Sequence, residues 1–296
     1  ILEYNNKPSF INKRSKDGTA LYISVKNNDL ELVRRLLLVP GINPSLYEGD
    51  NKTPLILAVF NLNLDIVNEI LNFYGDNIQY ETKQINEAFQ HIFKVISSSN
   101  KGPYTYFYNE VPYDVRSSTG WNSCQVSSQM KNLNTRPKVT SILKRLLEIK
   151  TIDPNYRCNN TTILFYACLN NDIEIVQMLL NLDKTDLNLY SLVTGDSPLM
   201  VSIDKNNLEI AELLIKDPRM NINMKNFMNQ TALTMSVSKN LDKIVDLLIN
   251  NENFDSEESC INYAFFISTG DISKKLITSE KLDVNYKISK EEKEKE

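Results

Sequence analysis

Glycine is scarce in this chain, with 8 residues in 296. Folds that cradle phosphates need glycine where the backbone closes on the ligand, and neither G-x-x-x-x-G-K-[ST] nor G-x-G-x-x-G occurs. Histidine is scarcer still. His91 stands alone, on the flank of a helical apolar pattern where a solvated side chain is expected. H-E-x-x-H needs two histidines and does not occur, and one His set in a repeat helix is poorly placed to staff a Ser/His/Asp triad or a Cys/His pair. The four cysteines, Cys124, Cys158, Cys168 and Cys260, are dispersed with no C-x-x-C. With that spacing and one His a zinc site is hard to assemble, and reduced thiols are expected rather than disulfides. No apolar run approaches the roughly 20 residues needed to cross a bilayer. Basic charge is not in excess: 33 Lys and Arg stand against 37 Asp and Glu, for a net charge of -4. A nucleic-acid binder or a polybasic membrane-surface protein would carry the opposite balance. The carboxylates are spread over helix starts and exposed faces, which gives paired-carboxylate chemistry no specific support.

The chain does have enough apolar residues for a core, 42% of the total. It is also rich in asparagine, with 37 residues. Together with abundant Lys and Ile this is the composition of an AT-rich coding sequence, such as that of a protist. Asparagine favours caps and tight turns, because its short amide competes for backbone partners.

A repeat organises these residues. Apolar doublets close a helical pattern at Leu36-Leu37, Ile70-Leu71, Leu146-Leu147, Leu179-Leu180, Leu213-Leu214, Leu247-Leu248 and Leu276-Ile277. Most successive offsets are 33 or 34 residues; one is 76 and the last is 29. A second motif keeps the same period: Thr19-Ala20-Leu21, Thr53-Pro54-Leu55, Thr162-Ile163-Leu164, Ser197-Pro198-Leu199, Thr231-Ala232-Leu233 and, weakly, Ser259-Cys260-Ile261. Thr or Ser caps the open amides of a short helix, and Pro suits its first position. Three residues after each Leu or Ile comes a small side chain: Ser24, Ala58, Ala167, Ser202, Ser236 and Ala264. Such a residue lets a neighbouring helix approach closely. A second helix follows, opened by Asn or Asp, as in Asn28-Asp29-Leu30 and Asn171-Asp172-Ile173, with apolar residues at i, i+3, i+4 and i+7. Each unit ends in an Asp/Asn turn such as Ile42-Asn43-Pro44, Asp186-Leu187-Asn188 or Asn221-Ile222-Asn223.

This pattern of turn, helix, tight turn and helix resembles the ankyrin repeat, over residues 17–288. The resemblance implies an all-α ankyrin-repeat solenoid of about seven helix-turn-helix units. The expected units are 17–49, 50–80, 81–157, 158–191, 192–225, 226–256 and 257–288. The third is split between helices at 83–99 and 138–149 by an insertion at 100–137. Residues 1–16 read as an N-terminal cap segment and 289–296 as a charged tail. The N-x-[ST] matches, as at Asn51-Lys52-Thr53, Asn159-Asn160-Thr161 and Asn229-Gln230-Thr231, follow from the cap motif, not from glycosylation. Two departures from the family stand out. Its His after the motif Leu is replaced by Tyr22, Ile56, Phe165, Met200, Thr234 and Asn262, so the turns must be tied to one another by other groups. Its Gly after the second helix survives as Gly41 but not at Thr151, Lys184 or Lys281, where another turn geometry is expected.

The resemblance also implies function. In such arrays the turn edge and the adjacent first-helix face bind proteins. On this edge stand Tyr47, Glu48, Tyr156, Arg157, Tyr190, Lys225 and Phe227. The insertion adds Tyr106, Phe107 and Trp121, rings that either cover the array itself or meet a partner. The expected role is a non-catalytic protein-protein interaction scaffold or adaptor in the cytoplasm. It needs no cofactor or metal and has no nucleic-acid, membrane or small-molecule partner. Two alternatives stay open: a structural subunit of a large assembly, for example a cytoskeletal one, and the targeting arm of an enzyme whose catalytic domain lies outside this chain. The start at Ile1 fits a segment of a longer protein.

Overall fold

The computed structural model describes residues 8–47, 52–75, 82–98, 136–157, 160–256 and 261–279. Among these residues the regular structure is helical, with one isolated bridge between Ser15 and Gly18. The chain divides into two compact units, Ile1–Asp153 and Pro154–Glu296.

The first unit contains α1 (Pro8–Ile11), α2 (Ala20–Lys26), α3 (Leu30–Leu37), α4 (Pro54–Phe60), α5 (Leu64–Tyr74), α6 (Thr82–Ser98) and α7 (Arg136–Leu147). Helices α2, α4 and α6 stack as one row and α3, α5 and α7 as a second, each member packed on its partner in the other row. The second unit repeats this plan with α8 (Ile163–Leu169), α9 (Ile173–Leu180), α10 (Pro198–Asp204), α11 (Leu208–Lys216), α12 (Ala232–Ser238), α13 (Asp242–Ile249), α14 (Ile261–Ile267) and α15 (Gly270–Thr278). Its rows are α8, α10, α12, α14 and α9, α11, α13, α15. Seven helix pairs are thus described, in the register the period predicts.

The caps form where the motif places them. The side chains of Thr19, Thr53, Thr162, Ser197 and Thr231 accept from the amides of Tyr22, Ile56, Phe165, Met200 and Thr234. The small residues Ser24, Ala58, Ala167, Ser202, Ser236 and Ala264 are all buried in the stacked first row. The serines among them return their hydroxyls to their own helix, to Leu21 O, Leu199 O and Ala232 O, each at 2.7 Å.

Asparagine earns its abundance first in the tight turn between paired helices. Asn28, Asn171, Asn206 and Asn240 all adopt positive φ, between 53° and 60°. Asn tolerates that left-handed geometry better than other residues with a Cβ. Leu62 occupies the same place in the second pair at φ 52°. At the far end of the unit, Gly41 has φ 80°, whereas Thr151 and Lys184 do not enter the positive-φ region. The alternative geometry expected at those two turns is therefore present.

In the third pair, Ile85, Ala88, Phe89 and Ile92 of α6 and Val139, Ile142, Leu143, Leu146 and Leu147 of α7 are buried. Helix α7 opens at Arg136, so Arg136 and Pro137 belong to the helix rather than to an insertion ending at 137. Proline is well suited to a first turn, where its missing N–H costs no bond. The side chain of His91, residues 1–7, the rest of the insertion, and the tail lie outside the described residues.

Candidate functional site: the turn edge

The absent family histidine is replaced by two different solutions. At its position Tyr22, Ile56, Phe165 and Met200 are buried. Thr234 keeps a polar role, accepting from Thr231 N at 2.9 Å to complete a reciprocal cap. The ties between turns are instead made by asparagine amides. Asn155 donates to Lys184 O and accepts from Asp186 N, both at 2.8 Å. Asn188 does the same to Arg219 O and Asn221 N at 2.9 and 2.7 Å, and Asn223 to Asn253 O and Asp255 N at 2.6 and 3.1 Å. In the first unit Asn12 clamps Gly41 O and Asn43 N, both at 2.8 Å. One amide thus satisfies a donor and an acceptor of the next turn, groups that would otherwise need water. Asn12 lies within 1–16, so that segment carries the same clamp as the later turns.

Two residues beyond the clamps at Asn12, Asn155, Asn188 and Asn223 come Arg14, Arg157, Tyr190 and Lys225, and Tyr47, two beyond Ser45, holds the same edge register 33 residues after Arg14. Four of the expected edge residues share it. The arginines tie this register to the following turn. Arg157 Nη1 donates to Tyr190 O at 2.7 Å and to Asn160 O at 3.2 Å, and Arg14 donates to Tyr47 O.

The side chains diverge. Tyr47 is half-buried; its hydroxyl donates to Glu87 on α6 at 3.0 Å, and Lys83 of the same helix stands 5.2 Å from the ring centre. Tyr190 instead meets Phe227 edge-on at 6.2 Å, with the Arg157 guanidinium 5.8 Å from its ring. Tyr156 is half-buried and Lys225 is exposed. Glu48, Tyr106, Phe107 and Trp121 lie outside the described residues.

Three side chains that the repeat pattern did not single out complete this edge. Fractional exposures are 37% for Tyr190, 49% for Leu192, 37% for Val193, 64% for Phe227 and 62% for Met228. Leu192, Val193 and Met228 lie in turns, so helical periodicity passes over them. Their signal in the sequence is apolar character between two turn motifs, where polar residues are the rule.

The backbone beneath this ridge is fixed. Ser191 N donates to Asp196 O at 2.9 Å and Gly195 N to Ser191 O at 2.8 Å, closing the tip on itself. Leu192 N donates to Asn160 O and Phe227 N to Thr194 O, both at 3.0 Å, linking three successive turns. Buried Asn226 donates to Asp196 Oδ1 at 2.8 Å and accepts from Met228 N and Gln230 N. Gly195 is required here: its φ is +78°, and a Cβ would lie 2.6 Å from Phe227 N.

Little else in the described residues suggests chemistry. No group of three or more His, Cys, Asp or Glu there could hold a metal ion. Cys168 is fully buried, and burial pushes its thiol pKa up, away from the nucleophilic thiolate. No described helix is long and apolar enough to cross a membrane.

Comparison with known proteins agrees with the repeat geometry. The family model for ankyrin repeats (3 copies) matches residues 1–82, 136–226 and 183–260, more than half of the chain. An ankyrin repeat protein of Fowlpox virus (strain NVSL), FPV031, is 29% identical over 161 residues, covering 51% of this chain and 46% of that protein. The I-Kappa-B like protein C1 of Microplitis demolitor bracovirus (isolate Webb) is 32% identical over 81 residues, 27% of this chain and 46% of that protein. The chain therefore spans less than half the length of these curated relatives. Among solved structures, the ankyrin repeat domain of Bcl-3, a member of the IκB family, has a TM-score of 0.53 at 19% identity, covering 89% of this chain and 100% of that one. At that identity the likeness is one of fold. On the family match and the repeat geometry together, this chain belongs to the ankyrin repeat family.

Proposed function

We propose that this chain is a non-catalytic protein-interaction module acting as a scaffold or adaptor, in the cytoplasm, with the turn edge of its second unit as a contact surface. One observation carries the reading: Tyr190, Leu192, Val193, Phe227 and Met228 present a run of exposed apolar side chains on hydrogen-bonded turns. Such patches on a folded surface mark interaction sites. Aromatic side chains anchor many interfaces, and a pre-fixed backbone lowers the ordering cost of binding. Ankyrin repeats serve as protein-binding modules in general, which supports the reading without identifying a partner. Tyr156, Arg157 and Lys225 belong to the same proposed edge, and Tyr47 is proposed as a contact residue on the corresponding edge of the first unit. Glu48, Tyr106, Phe107 and Trp121 extend the proposal to residues at 48 and in the insertion.

The test is quantitative cross-linking in cells of origin with the parent chain and with Phe227→Ser/Met228→Ser, both checked for unchanged melting. A protein cross-linked at stoichiometric level by the parent and lost with the variant is the expected result. The same cross-linked proteins at the same yield with both chains would remove this edge from the contact surface.

A further inference from the structure

We infer that the second unit's turn edge docks an acidic, apolar protein segment. This rests on the interaction reading above and specifies the partner's chemistry. The apolar part follows from the five exposed side chains between Tyr190 and Met228. The acidic part follows from the charges among them.

Arg157 and Lys225 occupy the edge register on either side of Tyr190. Arg157 hydrogen-bonds only to carbonyl oxygens and to no carboxylate, and Lys225 has no ion-pair partner among the described residues. Carboxylates do occur in these turns but do not neutralise the tips. Asp196 is buried and accepts from Asn226. Asp153 and Asp186 stand four residues before Arg157 and Tyr190, at the clamp, where Asp186 Oδ1 accepts from Asn188 N at 2.9 Å. An otherwise acidic chain, net -4, thus presents an apolar ridge flanked by Arg157 and Lys225, neither of which is paired with a carboxylate among the described residues. Complementary charge on a partner would favour encounter and fix its register.

The same chemistry could address an anionic lipid surface. Membrane attraction by charge uses clusters of about 4–8 basic residues. The ridge has two, which favours a protein segment.

The probe is a fluorescein-labelled dodecapeptide alternating Glu with Leu or Phe, compared with the same peptide carrying Lys for Glu. Binding to the full chain is read by anisotropy in low and moderate salt. The acidic peptide should bind at least about tenfold more tightly than the basic one, with the gap narrowing as salt screens the charges. Phe227→Ser should weaken it about thirtyfold, as expected for an aromatic anchor worth about 2 kcal/mol. Lys225→Gln should weaken it about two- to fivefold and flatten the salt dependence. If Phe227→Ser lowers the melting temperature, Met228→Ser replaces it as the apolar variant.

Equal affinity for both peptides, lost equally with Phe227→Ser, would overturn the charge assignment and leave the interaction reading intact. Binding indifferent to Phe227→Ser and Met228→Ser, or no binding of the acidic peptide, would overturn the inference. So would preferential binding to phosphatidylserine vesicles. Self-association abolished by Phe227→Ser would name a second copy as the occupant and overturn it likewise.

Discussion

Tyr47 and Tyr190 hold the same register in the two units, and an arginine from the preceding turn grips the backbone carbonyl of each. Their side chains nevertheless do different things. In the first unit, Glu87 and Lys83 on α6 supply an acceptor and a cation, and the ring is drawn into the array. In the second, the neighbouring turn supplies Phe227 and the ring stays at the surface. The fate of an edge aromatic is set by what the next repeat offers rather than by the aromatic itself. An edge ring is drawn inward where its hydroxyl finds an acceptor on the next helix, and stays at the surface where it meets another ring instead.

The strongest test of this contrast is at the glycines. Gly195→Ala forces a Cβ against the backbone of Phe227 in addition to a left-handed φ, and should cost about 3 kcal/mol. Gly75→Ala in the first unit meets open space at φ +45° and should cost about 1–2 kcal/mol from the backbone alone. Chemical denaturation followed by far-ultraviolet circular dichroism measures both. Equal losses would mean that the ridge does not depend on the close approach at Gly195.

Arg219 comes next. It donates to Asp217 through two nitrogens and to Leu180 O and Leu182 O, at 2.6 and 3.1 Å, bracing the end of α9. Arg219→Ala should cost about 2 kcal/mol, because charged donors to otherwise open carbonyls are removed. The pairing carries a pH signature. Arg219 holds the Asp217 carboxyl below its usual range, chiefly through their hydrogen bond. The stabilisation is therefore complete above the unfolded value of about 3.9 and is lost as pH falls through the lower folded value. Asp217→Asn should flatten this part of the acid dependence and leave neutral-pH behaviour with only a lower baseline. Hydrogen exchange in α9 and α11 across pH 2–6 reads it. An unchanged acid slope would show that the carboxylate contributes nothing there.

The tyrosine pair itself gives a smaller effect. Tyr47→Phe removes a hydroxyl bonded to Glu87 and should cost about 1 kcal/mol. Tyr190→Phe should change stability by no more than about 0.3 kcal/mol, as expected for a surface change that breaks no described bond. Thermal melts of the two variants decide the matter, and matching losses would erase the distinction between the units. An effect of the same size as that of Tyr47→Phe is expected at the tight turns. Asn206→Ala should cost about 1 kcal/mol and Asn206→Gly close to nothing, since only Ala resists φ 60°.

The fold was legible because its determinants are local. A Thr cap, a proline at a first turn, a small residue at a helix contact and a 3.6-residue apolar stripe each leave their mark within a few positions. Thus Thr53, Pro54 and Ala58 already define α4. The ties between turns were not legible. Asn155 meets Lys184 and Asp186 some 30 residues away, and nothing in its own surroundings announces the partner. The missing histidine announced only that some tie was needed. The recurring [Asp/Asn]-x-Asn in Asp153-Pro154-Asn155, Asp186-Leu187-Asn188 and Asn221-Ile222-Asn223 was visible as a turn, and its bridging role needed the third dimension. The edge was half legible for a related reason. Tyr190 and Phe227 stand out as aromatics in turns, whereas Leu192, Val193 and Met228 read as ordinary apolar residues until their exposure is seen.

The asparagine clamp has a consequence for how such an array can change over generations. Asn12, Asn155, Asn188 and Asn223 each bind the peptide N–H and C=O of the next turn. Those two bonds do not depend on the side chains of that turn. A substitution at the tip, Tyr to Lys or Leu to Glu, leaves the bond that aligns the repeats untouched. The clamp reads shape and ignores identity. Selection can therefore rewrite the turn tips one finger at a time on an unaltered frame, and divergence there is no sign that the frame has been lost.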